Sequence, residues 1–111
     1  MRILAIEREQ PAPPRPDLSN LLRADAAGTW DLQQRGIIRD IWFTAADRRT
    51  VLLLECASAA EARQHLAALP LLRRGVVDFT VHELCPYDGF ARLFSAGAAP
   101  AAPRPPEPPE Y

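Results

Sequence analysis

Hydrophobic positions divide the chain into short apolar runs that read as strands and spaced apolar positions that read as helices. Arg2 to Glu7 reads as a first strand. Arg8 to Pro16 reads as a loop, because Pro11, Pro13, Pro14 and Pro16 each remove a backbone donor and fix φ. Leu18, Leu21, Leu22, Ala26, Thr29 and Leu32 fall at helical spacing, with Asp17 or Ser19 as the cap and Gly36 as the stop. Gly28 inside that helix costs up to about 1 kcal/mol relative to alanine, which points to close packing or a local break. Ile37 to Thr44 reads as a second strand and residues 45–49 as a turn. Thr50 to Cys56 reads as a third strand, with Val51 to Leu54 apolar on both faces. Ser58 followed by Glu61 forms a capping box before the stripe Ala59, Ala62, Leu66 and Leu69, and Pro70 ends the second helix. Val76 to Leu84 reads as the last strand, and Leu93-Phe94 is a short apolar end.

The order β-α-β-β-α-β is the ferredoxin-like arrangement, an α+β class. It gives a four-stranded antiparallel sheet in the order 4-1-3-2 with two helices on one face. A sheet open to water on its second face would alternate apolar and polar residues. The third strand does not, and the second carries Trp42 and Phe43 on opposite faces. Two such sheets packed face to face in a twofold dimer cover the remaining apolar patch. Residues 1–94 therefore read as one domain that forms a dimeric α+β barrel. Residues 95–111 read as a disordered tail of proline, alanine and glutamate. Cys56 and Cys85 end strands two positions apart, roughly 9–10 Å, beyond the usual disulfide reach of about 7 Å. Both read as buried small hydrophobes.

Composition narrows the chemistry. The 111 residues suffice for one domain and carry a net charge of −1, with no basic surplus for nucleic acid or an anionic membrane. All 13 cations are arginine, which excludes a Schiff-base lysine and the lysine of a phosphate loop. The apolar run before Glu7 is too short for a secretory signal, and no stretch approaches a membrane helix. With two cysteines, a cytoplasmic location is expected. No zinc-ligand cluster, nucleophile elbow or glycine-rich phosphate loop is present.

Leu32-Gln33-Gln34-Arg35-Gly36, Arg39, Trp42, Ser58 and Glu61 leading to Leu69-Pro70-Leu71, then Asp78, Val81 and Leu84-Cys85, resemble the muconolactone isomerase family. The resemblance runs from about Leu22 to Cys85 and is nearer the family's uncharacterised relatives. It implies the dimeric α+β barrel, self-association into dimers or larger assemblies, and isomerisation of a small lactone bearing a carboxylate. It also implies no metal or organic cofactor. The chain departs from the family around Arg73-Arg74-Gly75, in the proline-rich insert and in its ending.

Proton transfer next to a carbonyl needs a base and a cation near the developing enolate. His82 is the candidate base, since imidazoles titrate near ~6.5. Asp78 and Thr80 share its strand face by period two. Arg39 either grips a substrate carboxylate or forms a structural ion pair. Glu55 is either a base of raised pKa or an arginine's partner, and Asp40 is a similar case. Trp42, Trp30 and Tyr87 could line a substrate pocket, with core packing as the alternative for the tryptophans; His65 reads as a surface or boundary residue. The leading expectation is an isomerase or cyclase with a pocket between helices and sheet, exposing Arg39 or His82. A cofactor-independent monooxygenase and a non-catalytic dimeric ligand-binding module are the alternatives.

Overall fold

The computed structural model describes residues 1–9 and 18–94. Strand β1 spans Arg2–Glu9, helix α1 Leu18–Gln34, β2 Ile38–Phe43, β3 Thr50–Glu55, α2 Ala59–Ala67, α3 Pro70–Arg73 and β4 Val77–Glu83. A 3-10 turn follows at Gly89–Leu93. The sheet order is β2-β3-β1-β4 and every neighbour pair is antiparallel, as the element order requires. The expected loop from Arg8 begins later, because Arg8 and Glu9 continue the ladder opposite Asp78 and Val77. The remainder of the proline-rich segment, the Asp17 cap and the tail from Ser95 lie outside the described residues.

Period two sorts the strand side chains into two faces. Ile3 and Ala5 pair with Leu54 and Leu52 and form the face under the helices. These four, with Ile38 and Phe79, meet Leu32, Ala62, Leu66 and Leu69 in one buried core. Cys56 joins the core, where burial pushes its thiol above the ordinary value. Cys85 is exposed rather than buried, because the strand ends at Glu83 before it. Both thiols are free.

The α1 stripe read from sequence is wider than the buried face. Leu21 and Leu32 are buried, whereas Leu18 and Leu22 are exposed. Ser19 is inside the helix and is not its cap. Gly36 stops it at φ +77, with the Ile37 N–H donating to Leu32 O at 3.0 Å. A β-carbon on Gly28 would lie 3.0 Å from Leu69 Cδ2, so the glycine lets α1 approach the segment before α3. Ser58 accepts from the Glu61 N–H at 3.1 Å. Glu61 reaches back to the Ala57 N–H, one residue earlier than a simple capping box would have it.

Pro70 opens a new helix as well as closing the previous one, since a first-turn proline lacks only a donor that has no helical partner. The next N–H, on Leu71, is taken by Asp25 Oδ1 at 3.1 Å, so α1 caps α3 across the fold. Burial raises the Asp25 pKa above its ordinary value, the Leu71 hydrogen bond opposes that, and Glu7 adds to it. With the folded pKa raised, stability falls as pH rises from 3.8 through that folded value. We expect Asp25→Asn to keep the cap and flatten this slope. Asp25→Ala should cost about 1 kcal/mol. Urea denaturation of both variants across the acid range checks the pair.

Candidate functional site

The face away from the helices is built by the alternate residues of the same strands. Leu4 lies between Leu53 and His82, and Ile6 between Val51 and Thr80. Trp42 adjoins Val51, and Asp40 adjoins Leu53. The apolar members Leu4, Ile6, Val51 and Leu53 are only half-buried, and Trp42 is 66% exposed. A polar row of Asp78, Thr80 and His82 runs down the edge strand β4.

Their partners give these groups different capacities. Asp78 accepts from Arg8 Nη2 at 2.8 Å, and that bond holds its carboxyl below the ordinary value. A carboxylate so stabilised is a poor proton acceptor. Thr80 donates to Ile6 O at 3.2 Å. His82 is exposed and has no hydrogen-bond partner among the described residues. It is the free imidazole of the row.

Glu55 was expected with a raised pKa or an arginine partner. Its Oε2, shielded from water, meets the Met1 amino group at 2.8 Å, although the side chain is 38% exposed. That contact lowers its pKa, with help from the charges of Arg2 and Arg39. Arg39 lies at the irregular register between Ile38 and Asp40. Its Nε donates to Gly36 O at 2.8 Å, which leaves the two terminal nitrogens of the fork available.

The structure thus gathers Trp42, Glu55, Asp78, Thr80 and His82 on one sheet face, with Arg39 beside Glu55. It does not bring Trp30 there, because α1 covers the opposite face and Trp30 is 63% exposed. Neither tryptophan packs in the core. Tyr87 lies past the end of β4, 70% exposed, with its ring 4.9 Å from that of Phe90 in an edge contact. Gly89 lets that ring lie close over the turn, since a β-carbon there would push the far end of the Tyr87 ring aside. His65, on α2, is 3.8 Å from Glu61.

At one end of the open face lies a depression of about 480 Å³ lined by Met1, Arg2, Leu53, Glu55, Leu84, Cys85 and Pro86. Arg2 sits opposite Glu55 in the ladder and was not singled out from sequence. The pairing register, which the sequence does not print, is what reveals it. Among the described residues no three metal-ligating side chains gather, and no helix is long and apolar enough to cross a membrane.

Comparison with known proteins adds an independent line. The family model described as muconolactone delta-isomerase matches residues 5–89. The crystal structure of muconolactone isomerase superimposes with a TM-score of 0.67 at 19% identity, over 92% of this chain and 100% of that one. A 5-chloro-2-hydroxyhydroquinone dehydrochlorinase from Burkholderia phenoliruptrix AC1100, in complex with 2,5-dihydroxybenzoquinone, gives 0.56 at 17% identity, over 80% and 98%. No curated protein matches. At these identities the structural matches speak for the fold.

Proposed function

Because the chain belongs to the muconolactone delta-isomerase family, we propose that it is a cofactor-free proton-transfer isomerase of a small carboxylated lactone or ring substrate. The reaction takes place on the open sheet face. The observation that carries this reading is the free His82 imidazole in line with the apolar Leu4 and Leu53, with Arg2 and Arg39 at the same sheet end as Glu55.

In this reading a second copy covers the face. Two sheets pack through Leu4, Ile6, Val51 and Leu53 about a twofold axis and exclude water from the space between them. His82 takes a proton from a carbon conjugated to the substrate carbonyl. The electron pair moves onto the carbonyl oxygen, and His82 returns the proton to a different carbon. One C–H bond breaks and another forms, with no net gain or loss of electrons. The spare nitrogens of Arg39 hold the substrate carboxylate as a bidentate fork. Glu55 keeps Arg39 and Arg2 in place rather than acting as the base, and Asp78 anchors β4 through Arg8. Thr80, Trp42 and Tyr87 shape the space around the ring.

Muconolactone in deuterated water, followed by NMR, tests the reading. Protein-dependent isomerisation with deuterium uptake supports it. The absence of both removes muconolactone as a substrate. Arg39→Ala should raise KM by about 10- to 100-fold through loss of a charge-assisted contact, whereas an unchanged KM removes Arg39 from the carboxylate.

A further inference from the structure

The outer side of α1 carries a second feature that the proposed reaction does not use. Trp30 is nine residues from buried Leu21, which is two and a half helical turns, so the two point in opposite directions. It stands 63% exposed at the pole of the helix facing away from the sheet. Arg23, two residues past Leu21, points the same way as Trp30. It is exposed and has no hydrogen bond or ion pair among the described residues. Between them the same side presents only Ala26 and Ala27, both exposed.

This spacing is self-complementary. Arg23 and Trp30 are seven residues apart, about 10.5 Å along the axis, and the two alanines sit midway. An antiparallel pairing of two α1 helices centred between Ala26 and Ala27 sets Arg23 of each copy against Trp30 of the other. Alanine at the crossing permits the close approach of roughly 8 Å that small side chains allow. A guanidinium over an indole face is the most favourable cation–π pairing a protein can make. The contact is isologous, so it satisfies both ends at once.

We propose that this face of α1 docks a second copy of the chain through two reciprocal Arg23–Trp30 contacts across an alanine crossing. The contact lies on the layer opposite the open sheet face, so it joins units that the sheet face has already paired. It stands without the proposed chemistry.

Sedimentation equilibrium of the full chain tests it, with far-UV circular dichroism to confirm that each variant is folded. The expected result is a wild-type mass above that of a dimer, falling to the dimer in both Trp30→Ala and Arg23→Glu. Arg23→Lys should keep the larger mass over a narrower concentration range, because an ammonium lacks the stacking plane. An identical mass for wild type, Trp30→Ala and Arg23→Glu overturns the proposal, including the case in which another segment of the same chain covers Trp30. If wild type is only dimeric and Trp30→Ala is monomeric, the helix contact stands and the sheet-face pairing fails.

Discussion

Replacing His82 with alanine should lower kcat on the isomerised substrate by about 10²- to 10⁴-fold, the range a positioned acid–base group contributes. The reason lies in how the other candidates are held. Asp78 is bonded to Arg8 and Glu55 to the amino terminus, and both contacts lower the carboxyl pKa. Both therefore keep their negative charge and give up basicity. Thr80 spends its hydroxyl proton on Ile6 O. His82 alone in this set faces the open side with both ring nitrogens unengaged. Circular dichroism should show no change, because His82 contributes nothing to the buried core. Steady-state rates of His82→Ala and Asp78→Asn, measured side by side, check the assignment. A large loss in the aspartate variant with none in the histidine variant would reverse it.

Leu53 and Leu54 should respond in opposite ways although they are neighbours of identical chemistry. Leu54 is fully buried under the helices between Ile3 and Ile38. Its truncation to alanine should cost about 2–5 kcal/mol, from lost burial and the cavity left behind. Leu53 points to the open face, between Leu4 and Asp40. Leu53→Arg sets a guanidinium opposite Asp40, so the protomer keeps its fold. Near a twofold axis the same substitution places like charges against each other in an apolar patch. The expected outcome is a folded protomer that has lost the sheet-face contact, with a lower mass than wild type and without isomerase activity. Chemical denaturation, mass and activity of the two variants separate these effects. A Leu53→Arg variant with the mass and activity of wild type would show that the open face is neither interface nor site.

Much of the fold was legible in local pattern because its signals are local. The Gly36 stop, the Ser58–Glu61 cap and the doubly apolar Val51 to Leu54 run each report on a few adjacent residues. Their order then leaves few topologies. Features created by register and long-range contact were hidden. Arg8 meets Asp78 across 70 positions, and Asp25 caps α3 across 46. The same is true of Glu55, whose pKa direction depends on an amino group brought alongside by the β1–β3 ladder. Pro70 misled because proline marks a helix start as readily as a helix end. The α1 pattern misled differently. Leu18 and Leu22 sit at helical spacing with the core residues, yet at angles that leave them outside it. Period two did place Asp78, Thr80 and His82 together, whereas Trp30 lies on the helix layer away from them, because aromatic character alone carries no direction.

The measurement closest to the central claim is the muconolactone reaction in deuterated water, run on wild type, His82→Ala and Leu53→Arg together. The account predicts isomerisation with deuterium at the carbon that receives the proton in wild type, and neither product nor exchange above background in the two variants. Conversion at the wild-type rate in both variants would contradict it, since neither the imidazole nor the covered sheet face would then be needed.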